Sequence, residues 1–412
     1  MRLGTVGIQR ILDQEPAKNY SRSGKSLHRI LYINVTGRVA GAEKSLLQLI
    51  RGINRTRFTP FAAVPAEGFL ATDLRMAGAR ILRIPELRLR RTASPVALAG
   101  MGGRWLRASL AVARAARQWG IDLIHSNTTS AHCVGSLAGI VSGVPTIWHV
   151  RDMQRFPWLE SMADRSTGAV IYVSRATREA VPLEGVDRAC RCVIHNAINA
   201  DLFRRAARPG EFRAEKGIGP DRPLLLMAAQ MVPWKGHRSL IRATARLKET
   251  YFDVRTVIAG SDMFGEHARY VRELGALVDD LKLQRHVLFT GYRGDVPTLM
   301  ADANVVVVPS QGEPFGRVAL EAMCCAKPVV ASNDAGLAEI VEHEKTGLLV
   351  PPHSPERLAA AVGRLLGDPN LRTDLGRAGQ ARVKSRFSIQ EHVRQVQDVY
   401  EQLCGKRHRR GA

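Results

Sequence analysis

The sequence lacks any run of about 18 apolar residues, the length a helix needs to cross a bilayer, so nothing in it reads as a membrane span. Residues 1–28 are polar and basic and lack the apolar segment of a secretory signal; they read as a loose, disordered basic tail or as an extension from an early start codon. Cysteine is scarce: Cys133, Cys190, Cys192, Cys324, Cys325 and Cys404 form no Cys-x-x-Cys pair. That argues against zinc or dithiol chemistry and for reduced thiols in a cytoplasmic protein. Aromatic residues make up only 6% of the chain, too few to interleave with the basic residues as a nucleic-acid stacking surface would require. No Asp-x-Asp triplet occurs, and His237, His286, His343 and His353 show no metal-ligand spacing, so no cofactor or essential divalent metal is expected. Acidic residues are also short, 38 against 60 Lys and Arg, for a net charge of +22. Residues 1–120 carry +15 of it, which suggests an anionic partner unless the excess only reflects an Arg-rich proteome.

What the chain does have is a repeated alternation. With 412 residues it fits two domains of about 150–200 residues each. Short β-branched runs alternate with longer amphipathic stretches, the pattern of parallel α/β architecture. Strands are predicted at Ile30–Val35, Phe61–Val64, Ile81–Ile84, Leu123–His125, Thr146–Val150 and Val170–Val173, with helices between them such as Ala42–Ile53 and Trp105–Trp119. A second series follows the polar stretch Arg204–Arg222, with strands at Leu224–Ala229, Val254–Ala259, Val287–Thr290, Val305–Val308, Pro328–Ala331 and Leu348–Val350. The division is therefore a tail at 1–28, a doubly wound Rossmann-like domain at 29–205, a second at 206–387, and a C-terminal helix and basic tail at 388–412. In such folds ligands sit at the carboxyl ends of the strands, here in a cleft between domains.

The sharpest motif is Glu313-Pro-Phe-Gly-Arg-Val-Ala-Leu-Glu321, after the strand Val305–Val308. Proline and glycine sit where a strand must turn into a helix beginning at Gly316 or Arg317. Glu313 then occupies the loop facing the cleft, and Glu321 points back toward it from the helix. The backbone N–H groups of Phe315, Gly316 and Arg317 are free to bind an anion or a sugar hydroxyl. Two carboxylates held by one turn suit polyhydroxyl recognition, because a carboxylate accepts two hydroxyl bonds. The bland alternative is a helix-capping Glu313 and a solvated Glu321. Upstream, Lys235 stands at a helix start after Leu224–Ala229, a point charge suited to a diphosphate unless it is merely exposed. His149 lies at the carboxyl end of Thr146–Val150, either facing the cleft or hydrogen-bonded in the core. Asn127, at the end of another strand, and Asp152, unless it caps the next turn, are candidates for the acceptor side.

These segments resemble the Glu–seven residues–Glu motif of glycosyltransferase family 4, a large retaining group with the GT-B fold. The likeness continues through Lys327–Ser332, Gly336–Val341 and Thr346–Pro351. It implies two facing Rossmann-like domains and transfer of a sugar from a nucleoside diphosphate to a lipid-linked or glycan hydroxyl, in the group's commonest setting a bacterial envelope or exopolysaccharide pathway. It implies that Glu313 contacts the donor sugar, that Glu321 holds the ribose, and that His149 touches the sugar. Gly41, in Thr36–Glu43, resembles the group's glycine-rich first loop, which approaches donor phosphate. Asn196 lies in the matching inter-domain loop, and Arg293 in the loop that packs on the base. The group pairs the lysine with an arginine five residues earlier; this chain has Gln230, so weaker phosphate stabilisation, or a substitute from Arg317 or Arg293, is expected. The alternatives are a GT-B nucleotide-sugar epimerase and, without enzymatic activity, a basic nucleic-acid-binding protein. Lastly, Arg83–Arg117 carries eight arginines and one acid beside Leu87, Leu89, Trp105, Leu106, Leu110 and Val112, which suggests peripheral docking on an anionic membrane, on the inner face of the plasma membrane.

Overall fold

The computed structural model describes residues 27–66, 68–87 and 95–410, without the side chains of 95–99, 164–165 and 406–410. Most of the expected tail, 1–26, and Arg88, Leu89, Arg90 and Arg91 of the expected basic surface lie outside these residues. The chain forms two all-parallel sheets. The first contains β1 (His28–Ile33), β2 (Phe58–Pro65), β3 (Arg80–Ile84), β4 (Leu123–Ser126), β5 (Thr146–Val150), β6 (Thr167–Tyr172) and β7 (Arg191–Val193), in the order β3-β2-β1-β4-β5-β6-β7. The second contains β8 (Leu224–Ala228), β9 (Arg255–Ala259), β10 (Val287–Gly291), β11 (Val305–Val308), β12 (Val329–Ser332) and β13 (Leu348–Val350), in the order β10-β9-β8-β11-β12-β13. Helices cover both faces, so central strands are apolar without alternation: β11 is four valines, all buried.

The departures from expectation have local causes. β7 is only three residues, Arg-Cys-Val, too short and polar to register as a strand, and it forms by pairing with β6. The stretch 204–222 is polar but not a free linker. It contains the helix Glu211–Glu215, whose Phe212 is buried in the second domain, and Asp302 accepts the backbone N–H groups of Gly210 and Arg213 at 2.5 and 3.0 Å. The helix expected to start at Trp105 starts at Pro95. Its Arg104, Arg107, Arg114 and Arg117 are exposed, but Val112 is fully buried, as is Leu87 nearby. Those two therefore belong to the core; among the described apolar residues named above, only Leu106 is exposed.

The last helix, Ile389–Arg410, crosses back to the first domain. Val393, Val396, Tyr400 and Leu403 join the core formed by β1, β2, β5 and β6. Tyr400 Oη lies 2.7 Å from His125 Nδ1 and 3.2 Å from the Tyr32 hydroxyl. Near it the first domain buries several imidazoles. Burial pushes His125 and His132 down to about 3 and His392 to about 4, and it holds His149 well below the usual range. All are neutral in the folded protein at neutral pH, whereas the unfolded chain titrates near 6.5. Between those values the unfolded chain binds protons that the folded chain refuses. Stability is therefore complete above about pH 6.5 and is lost as pH falls below it, by up to about 1.4 kcal/mol per pH unit for each such histidine. Denaturant unfolding at pH 7.5, 6.5, 5.5 and 5.0, above the carboxylate range, should show this decline; a flat profile would contradict the neutral-histidine core.

Candidate active site

The carboxyl edges of the two sheets face each other across a cleft of about 400 Å³. Strand order reverses between β1 and β4 in the first sheet and between β8 and β11 in the second. Loops leaving those neighbouring strands diverge, and the crevice between them is open to a ligand.

On the second domain, the loop after β8 carries Gln230, Trp234 and Lys235, and the loop after β11 carries Pro309 to Phe315. Gly236 clamps the two together. Its φ is +82°, and a Cβ there would lie 2.0 Å from the Pro309 carbonyl oxygen. Glycine alone permits both that backbone and that approach. The contact sets Lys235 Nζ 2.6 Å from Glu313 Oε2, with both side chains mostly out of water. Nζ also stands 4.0 Å from the Trp234 ring centroid. The helix Arg317–Cys324 begins after Gly316, φ +99°, and no side chain caps it, so its first N–H groups point free toward the cleft beside the buried Phe315. One turn along, Arg317 Nε donates to Glu321 Oε1 at 3.0 Å, while its Nη1 reaches across to Ser45 Oγ of the first domain at 3.2 Å.

Two expected substitutes for the missing arginine behave differently. Gln230 lines the cleft, and its amide donates to Met263 Sδ at 3.5 Å. Arg293 also lines the cleft, but its charge is committed. Asp295 accepts from Nε and Nη2 at 2.8 and 2.7 Å, and Glu215 from Nη1 and Nη2 at 2.9 and 2.7 Å. Those two carboxylates raise its pKa, Asp295 first. Arg293 is thus held by Asp295 of its own loop and by Glu215, 78 residues away in sequence, which also pairs with Lys216; this leaves it less available to a phosphate than expected. Of the two candidates Arg317 is the less committed: it gives Nε to Glu321 and one Nη1 proton to Ser45, and it lines the cleft with N–H donors to spare.

The first-domain wall is the loop 34–40 and the start of the helix Gly41–Gly52. Glu43 holds the loop in shape, accepting from Ala40 N at 3.0 Å, Thr36 Oγ1 at 3.0 Å and Asn34 Nδ2 at 3.2 Å. Gly41 faces Arg317 across the cleft; a Cβ there would meet Arg317 Cδ at 3.9 Å. Asp152 lines the cleft, with Oδ2 accepting from Thr129 Oγ1 at 2.6 Å, and burial raises its carboxyl pKa. Asn196 lines it as well.

Two expectations are corrected. His149 does not reach the cleft surface: it is fully buried, and the residue that lines the cleft there is Arg151. Arg151 Nη2 donates to His149 Nδ1 at 3.3 Å, and since a guanidinium only donates, the imidazole proton sits on Nε2, which has no partner. His125 Nε2 lies 3.2 Å from the same Nδ1. Asn127 is likewise fully buried and supports the wall from behind: Nδ2 donates to Asn34 Oδ1 at 2.9 Å, and its carbonyl oxygen accepts from Arg151 Nε at 2.9 Å. Sequence reasoning missed Arg151, Ser45 and Trp234. The only signal for Arg151 was its place, next to Asp152 beyond the carboxyl end of a strand. Among the described residues no group of three or more His, Cys, Asp or Glu is placed to hold a metal ion.

Comparison with known proteins agrees with this geometry. Residues 39–202 match the family model described as Glycosyltransferase Family 4, and residues 210–382 the one described as Glycosyl transferases group 1. The chain is 31% identical over 328 residues to the alpha-maltose-1-phosphate synthase of Mycobacterium tuberculosis, covering 73% of this chain and 83% of that protein. It is 30% identical over 295 residues to the D-inositol 3-phosphate glycosyltransferase of Jonesia denitrificans, covering 70% and 68%. Among solved structures, Anabaena Alr3699/HepE in complex with UDP-glucose superposes with a TM-score of 0.77 at 26% identity, over 91% of this chain and 99% of that one. The facing parallel sheets, the acidic pair spaced by seven residues in the cleft and these matches together make the chain a member of glycosyltransferase family 4, a glycosyl-transferring enzyme of the GT-B fold.

Proposed function

We propose that the enzyme transfers a hexose from a nucleoside-diphosphate sugar, with retention at the anomeric carbon, to a hydroxyl of a lipid-linked or glycan acceptor in bacterial envelope or exopolysaccharide synthesis. The observation that carries the reading is the cleft pairing of Lys235 with Glu313 at 2.6 Å, one loop away from Arg317 and Glu321 at 3.0 Å. Each pair joins a cation suited to phosphate with a carboxylate suited to hydroxyls. A nucleotide sugar offers both partners. Its diphosphate takes Lys235 and the free N–H groups at the helix start, its sugar hydroxyls take Glu313, and its ribose hydroxyls take Glu321. The likeness to Alr3699/HepE, whose structures hold UDP and UDP-glucose, makes UDP the first nucleotide to test.

In the proposed reaction the bond between the anomeric carbon and the diphosphate oxygen breaks, and the acceptor oxygen bonds to the same face of that carbon. The departing oxygen takes the acceptor proton. Lys235, Arg317 and backbone N–H groups neutralise the developing negative charge, the task given to electrostatic stabilisation in a water-excluded site. This assigns the leaving group to the protein's own cations and not to an essential metal. Location in the cytoplasm, against the inner face of the plasma membrane, completes the proposal. No helix among the described residues is long and apolar enough to cross a membrane, but Arg104, Arg107, Arg114 and Arg117 expose one basic face. With Val112 and Leu87 in the core, the attraction is mainly electrostatic, about 1 kcal/mol per arginine near an anionic leaflet.

A donor screen by UDP and GDP release, with mass spectrometry and anomeric NMR of the product, tests the reading. The expected outcome is acceptor-dependent release, an α-linked product from an α-linked donor, and rates unchanged by EDTA. Release without acceptor accompanied by an epimerised sugar would favour the epimerase. Two variants separate the roles. Lys235→Ala should lower kcat by about 10²–10³, as loss of an oxyanion donor does. Glu321→Ala should instead raise the donor KM, by the equivalent of about 1.5–3 kcal/mol for hydrogen bonds to a charged group. An unchanged donor KM in folded Glu321→Ala would remove the ribose assignment. For the membrane, co-sedimentation with vesicles containing anionic lipid should exceed that with neutral vesicles and fall at high salt; binding indifferent to lipid charge would remove that part of the proposal.

A further inference from the structure

We propose that the cleft contains a second oxyanion site, centred on Arg151, that binds a phosphoryl group carried by the acceptor. The word acceptor rests on the transferase reading above; the site itself rests on geometry.

A guanidinium has five N–H donors and no acceptor. Arg151 Nε is shared by the carbonyl oxygen and Oδ1 of Asn127, at 2.9 and 3.1 Å. One Nη1 proton goes to Asn196 Oδ1 at 2.5 Å, and one Nη2 proton to His149 Nδ1 at 3.3 Å. Two protons remain, one on each terminal nitrogen. That is the fork which engages two oxygens of one phosphate. Three neutral groups fix the plane of this fork in a residue that lines the cleft.

The other cleft cations are answered by acids: Lys235 by Glu313, Arg317 by Glu321, and Arg293 by Asp295 and Glu215. Among the described residues, no carboxylate lies within ion-pair distance of Arg151. Glu43 acts on it only through space, its oxygens being taken by Ala40, Thr36 and Asn34. The neighbouring Asp152 is turned to Thr129 and to the backbone N–H of Gln154. Lys44 lines the same wall, also with no carboxylate partner among the described residues. A charge withdrawn from water is costly unless it is paired, so this arrangement is complete only with an anion bound. Withdrawal from water, opposed by Glu43 and reinforced by Arg317, lowers the Arg151 pKa to about 9. The fork of Arg151, with a proton free on each terminal nitrogen, suits the several oxygens of a phosphate.

The anion is the acceptor's because the donor is already provided for from the opposite domain, by Lys235, Glu313 and the N–H groups before Arg317. A soluble sugar phosphate and a lipid-linked diphosphate carry the same chemistry. Both are compatible with Arg151, and they differ in the test.

Inorganic phosphate is the probe, titrated by calorimetry into the full-length protein saturated with UDP. Phosphate should still bind. Arg151→Gln should weaken that binding by about tenfold or more and leave UDP affinity within about twofold, as expected for loss of a charge-assisted fork. Retained UDP affinity shows that the variant is folded. Should Arg151→Gln lose UDP as well, Arg151→Lys keeps the charge without the fork and should lose phosphate alone. Phosphate that competes with UDP, or that binds both variants as it binds the parent, overturns the proposal. Failure of the parent to bind UDP would count against the nucleotide-sugar reading and leave the phosphate titration interpretable. Transfer assays with soluble sugar phosphates, polyprenyl-diphosphate-linked sugars and neutral oligosaccharides then identify the source. Loss of turnover in Arg151→Gln should fall on one of the two phosphorylated arms. Turnover confined to neutral acceptors overturns the site.

Discussion

The active cleft depends on how closely two backbones approach at the carboxyl edge of the second sheet. Gly236 brings the turn after β8 against the Pro309 carbonyl, and Gly260, φ +156°, brings the loop after β9 against the Ala229 carbonyl, where a Cβ would lie 1.8 Å from the oxygen. Both contacts exclude any side chain. Without the first, the loops carrying Lys235 and Glu313 would stand apart, and their 2.6 Å pairing would be lost. The chemistry of this wall thus follows from a steric fact about main-chain atoms. The functional side chains are carried on loops, and close main-chain contacts at Gly236 and Gly260 hold those loops together.

The second principle is charge matching inside a space with little water. Lys235 with Glu313 and Arg317 with Glu321 are mostly out of water. Such pairs contribute little net stability, because desolvation offsets their attraction. Their value is in exchange. A ligand bearing both phosphate and hydroxyl groups can replace each partner for the other, so charges already stripped of water need no further desolvation when it enters. Arg317 adds a mechanical role through Ser45, since the side chain that answers Glu321 also ties the two domains together. Arg151 stands outside this scheme, held by neutral groups and answered by none.

The fold was legible because its signals are local. β-branched runs such as Val305–Val308 are buried on both faces and need no partner to be read as strands. The turn at Gly316 was legible for the same reason, because proline and glycine declare a backbone change wherever they fall. What escaped was set by distant partners. Arg293 is paired by Asp295 of its own loop and by Glu215, and nothing in the loop Tyr292–Asp295 shows the second partner. His149 and Asn127 sit at strand ends, where either a cleft or a core position is possible; contacts with Arg151, and for His149 also with His125, decided for the core. β7 exists only because β6 offers an edge. Arg151 was passed over because an arginine in so basic a chain carries little information until its neighbours are known.

The return of the last helix has a mechanical consequence. The chain passes between domains twice, and the two passes touch: Ile198 pairs with Ser388, and Ile198 N donates to the Phe387 carbonyl at 3.2 Å. A single connecting strand would let the halves swivel freely, whereas two bonded side by side act as a flat strap that bends across its width and resists torsion. Bending about the width of the strap is thereby easier than twisting about its length. The strap thus limits how far the walls carrying Lys235 and Arg151 can rotate out of register with each other.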